Sequence, residues 1–234
     1  MIPADTLPLV LAGRVMPLAD GGRVSAIDKR PVSGPWGIGL LGLVNDSQAD
    51  RRHHGGPEKA LHHYARDHYA AWRDEIGDHP LLGAPGAFGE NLSTIGWTEE
   101  TICIGDVVRF GSVRLQVSQG RQPCLTLNLR FGRKDMALLV QQHGWAGWYY
   151  RVLEPGVAKQ GDTLQLIDRP RPDWTLARLN YLLYHDVKNH AALMEMIEIA
   201  ELSPNWRELA RRRLSSGKTE DWTRRLYGHD AAGL

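Results

Sequence analysis

The sequence predicts a mainly β protein with α-helical additions. A β-rich domain spans residues 1–168, a linker 169–174 and a small three-helix domain 175–228. Three observations predict it. Short apolar–polar alternations such as Val113-Arg114-Leu115-Gln116-Val117-Ser118 recur between glycine-containing turns, the period of half-buried strands. Composition shifts at Arg169-Pro170-Arg171-Pro172, where prolines and charge make a linker. Beyond it, three stretches place apolar residues at helical spacing.

In chain order, Val15-Met16 and Val24 to Ile27 read as short strands, interrupted at Gly21-Gly22 and Ser33-Gly34-Pro35. Ile38 to Val44 is apolar with interspersed glycines, a strand that another backbone can approach closely. Pro57 opens a predicted helix with Leu61, Tyr64, His68 and Trp72 on one face, ending near Ile76-Gly77. Thr101 to Phe110 and Val113 to Ser118 are strands joined through Gly111. Lys134 to His143 is a short helix stopped by Gly144, and Trp145, Trp148, Tyr149 and Tyr150 form an aromatic core or cleft wall. In the tail, Thr175 caps a run with Leu176, Leu179, Leu182 and Leu183. A second run holds Leu193, Met194 and Ile197, and Ser203-Pro204 starts the third.

Lys and Arg number 28 and Asp and Glu 27, for a net charge of +1. No global field draws the chain to nucleic acid or an anionic membrane. Two cysteines, Cys103 and Cys124, make no disulfide framework and suit a reducing compartment. Cys103 lies in the apolar run Thr101-Ile102-Cys103-Ile104 and reads as core. No apolar run approaches the ~20 residues of a membrane helix. The N-terminal run Leu7 to Ala12 is preceded by Asp5 and by no Lys or Arg, unlike a secretory signal. The expectation is a soluble cytoplasmic protein without nucleic-acid or membrane partners, its oligomeric state open, a homodimer included.

Three clusters carry candidate chemistry. Gln119-Gly120-Arg121-Gln122-Pro123-Cys124 ends the clearest strand. A nearby guanidinium favours thiolate, the form that ligates metals and attacks electrophiles; burial as one more small residue is the alternative. Asn45 to Lys59 contains Asp46, His53, His54, Gly55, Gly56 and Pro57. Its glycines admit a ligand to the backbone, and the helix start offers N–H groups to phosphate, with His54 and Lys59 as further donors. Zinc on His53, His54, His62 and His63 is weighed against the absence of His-Glu-x-x-His and Cys-x-x-Cys. Gly83 to Ser93 lacks the P-loop and dinucleotide patterns. It has the glycines for an anion nest and Asn91 to orient a polar ligand.

Taken together and in order, His54-Gly55-Gly56-Pro57-Glu58-Lys59-Ala60, Phe88-Gly89-Glu90-Asn91-Leu92 and Arg121-Gln122-Pro123-Cys124 resemble the motifs of the MOSC family. That family is named for the C-terminal domain of molybdenum-cofactor sulfurases. Ala26 to Val32 is similar to its opening strand, and the tail resembles the three-helix extension of a bacterial subgroup tied to hydroxylaminopurine resistance. The resemblance runs from about Gly13 to Tyr227, with departures at Asn45, where glycine is usual, and at Gly120, where proline is common. It implies a MOSC-type β-barrel with flanking helices, holding molybdenum in molybdopterin with Cys124 as the thiolate metal ligand. Lys29, Asp46, His54, Gly55, Gly56, Asn91 and Arg121 are the implied cofactor-binding positions, with Cys124, His54 and Asn91 at the chemistry. It implies reduction of small N-hydroxylated bases and amidoxime-like compounds with electrons from a flavoprotein or ferredoxin-like partner.

Two other readings compete. Cys124 could carry a persulfide in a cofactor or sulfur carrier. Between Ser203 and His229, seven Lys and Arg stand against three Asp and Glu, a docking face for an acidic protein or, against the near-neutral whole, for nucleic acid.

Overall fold

The computed structural model describes residues 3–18, 22–49 and 55–228. In chain order its strands are β1 (Leu9–Gly13), β2 (Met16–Pro17), β3 (Val24–Ser25), β4 (Lys29–Pro31), β5 (Trp36–Gly39), β6 (Gly42–Leu43), β7 (Leu61–Ala65), β8 (Leu92–Thr94), β9 (Val107–Phe110), β10 (Val113–Gly120), β11 (Trp148–Glu154), β12 (Gly156–Ala158) and β13 (Leu164–Asp168). The helices are α1 (His68–Ile76), α2 (Leu125–Phe131), α3 (Met136–His143), α4 (Leu176–Tyr184), α5 (His190–Ile197), α6 (Pro204–Ser216) and α7 (Thr223–Tyr227). The class is mainly β with α, as the alternations predict.

Eight strands share one sheet in the order β13-β9-β10-β11-β7-β8-β1-β4, and only β7 and β8 run parallel within it. The expected barrel is corrected to a sheet that does not close through a strand ladder: a single bridge links Leu164 of β13 to Thr6, ahead of β1. Thr6 and Leu164 exchange N–H···O bonds of 3.2 and 2.8 Å, with no further ladder between β1 and β13 among the described residues. Pro8 stands between Thr6 and β1 and has no N–H to extend that pairing.

The longest strand, β10, pairs with β9 on one side and β11 on the other. Val113, Leu115 and Val117 are fully buried while Arg114 is exposed, so the alternation put its apolar set inside. Each such side chain contributes roughly 2 kcal/mol. The β10–β11 register shifts between Val117 and Gln119. At this bulge Ser118 Oγ donates to the carbonyls of Glu58 and Tyr149, and such a kink re-aims the strand end. The strand thereby delivers Gly120 and Arg121 to one side of the molecule.

The predicted helix from Pro57 is replaced by three elements: a 3-10 turn at Pro57–Lys59, the strand β7 and the helix α1. All five residues of β7 are buried, so both faces are covered and no alternation marks the strand. The predicted end at Gly77 is observed. The predicted strand from Thr101 shortens to β9, because Cys103 and Asp106 sit in a turn where Asp106 binds Arg169 at 2.6 Å. Cys103 is core, as expected. The α3 helix ends at Gly144 as expected, whereas α2, directly after Cys124, was not legible.

Thr175 caps α4 through its side chain; Ser203 occupies the N-cap of α6 without making that bond. The tail helices share one hydrophobic cluster with the sheet: Leu176, Leu179, Leu183 and Trp206 pack with Leu115, Val117 and Trp148. A second cluster joins Tyr64, Trp72, Phe88, Leu127, Phe131, Val140 and Leu226. A Cβ on Gly120 would stand 3.0 Å from Asn180 Oδ1 and 3.1 Å from the Trp206 ring, so helix packing there favours the smallest residue.

Candidate functional site

The ends of β4, β7, β10 and β11 and the loops after β3 and β6 enclose a cavity of about 420 Å³. Lys29, Asp46, Asn91, Arg121 and Cys124, distant in sequence, all line it. Gly55 and Gly56 are not in that wall; Gly56 caps the 3-10 turn with φ 93°. His54 and His53 lie outside the described residues. Lys59, from the same turn, does reach the wall.

One side of the cavity is a closed network. Lys29 Nζ donates to both oxygens of Asp46 at 2.5 Å, and both side chains are buried. Asp46 also accepts the Gly13 N–H at 2.7 Å and the Asn91 amide at 2.9 Å. Asn91 Nδ2 donates again to the Leu11 carbonyl, and its Oδ1 accepts the His62 N–H. Burial lowers the Lys29 pKa, and Asp46 pulls it back up. Asn91 thus holds the pair and ties β1 to β7.

The glycine-rich loop does not form a nest for a ligand through the groups that Glu90 occupies. Glu90 accepts from the N–H groups of Gly86 at 2.7 Å and Phe88 at 3.1 Å and from the Tyr69 hydroxyl. Burial holds the Glu90 carboxyl above its usual range.

The other side is open-ended. Arg121 is 6 % exposed, and its Nη1 has no hydrogen-bond partner among the described residues. A buried donor left unmade costs about 1–3 kcal/mol. Its neighbour Tyr149 has a phenol raised by burial and drawn back by Arg121. Cys124 stands three residues on, half-buried, with extended backbone at the start of α2. Lys59 and Arg23 add positive charge to the wall, against Asp46.

The sequence offered His62 only as a zinc candidate and not as part of this wall, because β7 reads as a helix. The His62 ring lies 5.1 Å from that of Tyr149 and its Nε2 faces the Ala146 carbonyl at 3.3 Å. Burial, reinforced by Arg121, drives its pKa down to about 3, so it is neutral at ordinary pH. Tyr149 proves to be a cleft wall, one of the two roles open to the aromatic cluster. His63 is bonded to Thr94 and Tyr150 in the core. Among the described residues no group of three or more His, Cys, Asp or Glu is placed to hold a metal, so the zinc alternative finds no such cluster there.

Residues 50–165 match the MOSC domain, and residues 174–217 match the YiiM-like, 3-alpha helix domain. The chain is 39% identical to Protein YiiM of Escherichia coli (strain K12) over 94% of its own length and 97% of that protein's. The chain belongs to the MOSC family. Its fold superposes on the crystal structure of YiiM from Escherichia coli with a TM-score of 0.82, covering 97% of this chain and 100% of that one at 34% identity. A protein named Reductase from Gibberella moniliformis is 40% identical over 74% of this chain and 31% of its own length. MOSC domains are associated with molybdenum-cofactor binding, and the family is one of molybdenum-related oxidoreductases. No helix among the described residues is long and apolar enough to cross a membrane.

The cavity fits that cofactor. A thiol suits a soft, redox-active metal, and the unpartnered Arg121 Nη1 with Lys59 and Arg23 suits a phosphate.

Proposed function

We propose that this MOSC protein is a molybdenum-cofactor-dependent reductase of small N-hydroxylated compounds, hydroxylamino bases and amidoxime-like molecules among them. The single observation that carries the reading is a half-buried thiol in the same wall as a buried guanidinium with an unsatisfied donor. When bound, molybdopterin-held molybdenum supplies two-electron removal of oxygen from an N–O bond. The overall change is R–NHOH + 2e⁻ + 2H⁺ → R–NH₂ + H₂O.

Cys124 Sγ would hold the metal. Arg121, with Lys59, would hold the phosphate. Asp46 compensates the Lys29 charge, so Lys29 adds a donor to the wall without a bare buried cation. His62, neutral, is a fixed surface beside Tyr149, not an acid. Phe88 and Ile27 supply apolar wall and exclude water.

Electrons would come from a flavoprotein or ferredoxin-like donor. Not all seven tail cations face it: Arg213 is buried on Glu220, and Arg225 is bound to the Pro123 carbonyl and Gln141. Arg211, Arg212, Lys218 and Arg224 remain exposed for an acidic partner.

Elemental analysis of protein from a cofactor-competent host tests the reading, together with N–O reduction under an artificial electron donor. Wild type should contain molybdenum and turn over. Cys124→Ala should lose both, with turnover down at least about 10³-fold, the scale seen when a group central to the chemistry is removed; Cys103→Ala should retain both. A persulfide on Cys124 without pterin or turnover would assign the carrier role instead.

A further inference from the structure

The MOSC match ends at residue 165 and the three-helix match at residue 217. Helix α7 lies beyond both, yet it packs on α2 and not on the surface of the helical tail alone. Leu226 is buried among Phe88, Leu127 and Phe131. Asn128 of α2 donates to the Leu226 carbonyl at 2.9 Å and to the Lys134 carbonyl at 2.7 Å, and accepts the Ala137 N–H at 2.7 Å. One amide therefore joins α7, α2 and the start of α3.

This segment binds one neighbour of Cys124 and lies close to the other. Arg225 Nη1 donates to the Pro123 carbonyl, while Nη2 donates to Gln141 Oε1 at 2.5 Å. Its guanidinium also lies 5.8 Å from the Tyr184 ring centroid. On the other side, Gly228 passes close to Leu125, leaving no room for a side chain: a Cβ there would come 2.9 Å from Leu125 Cδ2, and φ is +86°. The segment is itself anchored, since Glu220 binds Arg213 of α6 at 2.7 Å. Charge-assisted bonds of this fork geometry fix direction as well as distance.

We infer that α7 completes the thiol site, with Arg225 as a positioning residue that sets the Pro123–Cys124 turn and so the direction and access of the Cys124 sulfur. The inference rests on Cys124 being the metal-holding group, but it concerns the protein without metal. It gives the helical tail a second task besides partner docking: to brace the cysteine loop from behind.

The test labels the metal-free full chain with iodoacetamide at alkaline pH and reads each cysteine by peptide mass spectrometry. Cys103, buried in the core, reports global opening. Arg225→Ala should label Cys124 about tenfold faster while Cys103 stays protected, as expected when the charge-assisted bond to the Pro123 carbonyl is lost together with that to Gln141. Arg225→Lys, which keeps one donor for the Pro123 carbonyl, should restore most of the protection. Gln141→Leu, which releases only the second arm of Arg225, should fall between wild type and Arg225→Ala. Unchanged Cys124 labelling in Arg225→Ala overturns the proposal. So does parallel labelling of Cys103, which would make Arg225 a residue of the fold alone. Should Arg225→Ala fail to fold, wild-type labelling of Cys124 in Gln141→Leu overturns it. Absence of molybdenum from wild type would sink the proposed function and leave these rates unchanged, so the two failures are distinct.

Discussion

The two walls of the cavity differ in how complete they are. The wall of Lys29, Asp46 and Asn91 closes on itself: every oxygen of Asp46 and every arm of the Asn91 amide has a protein partner. The wall of Arg121 and Cys124 carries a buried donor with none among the described residues. A completed network stabilises the fold, whereas an incomplete buried one costs stability and persists where a ligand completes it. Charged residues that look alike in sequence therefore divide into a set that satisfies itself and one with a donor left over.

The largest test of that division is Asp46→Ala. It should cost about 3 kcal/mol or more in chemical denaturation, because it leaves Lys29 buried and uncompensated. Next comes acid. The folded pKa of His62 is about 3, below the ordinary value of 6.5, so the unfolded chain takes the proton first. The stability His62 contributes is full above pH 6.5 and is lost as pH falls toward 3, by about 3–5 kcal/mol in all. His62→Gln should flatten the acid limb of stability against pH; an unaltered limb would mean another group sets it.

The smallest expected effect on stability is the sharpest for the comparison. Arg121→Met removes a buried cation with an unmet donor, so stability should move by no more than about 1 kcal/mol, while retention of an anionic ligand falls. Asn91→Ala should do the reverse, costing about 2–3 kcal/mol for its lost bonds. If Arg121→Met proves the more destabilising, the division between the walls is wrong.

Alternation in Val113 to Ser118, the stop at Gly144 and the Thr175 cap are local signals, and each appears in the structure where the chain implied it. Cys124 and Arg121 were legible because a polar turn after a clean strand is itself a local pattern. β7 was not, since burial on both faces erases periodicity, and with it went the place of His62 in the cavity wall. The glycine-rich loop showed its turns, but not that Glu90 would occupy its N–H groups.

What the chain determined alone was the β10 alternation, the helix stop at Gly144, the Thr175 cap, the sulfur and the family motifs, all set by neighbours within a few residues. Only the folded molecule decided which charges cancel, that one bridge links Thr6 to β13, and that Arg225, 102 residues after Pro123, grips the cysteine turn. Pairing across such separations depends on strand register and helix packing, which no local stretch encodes.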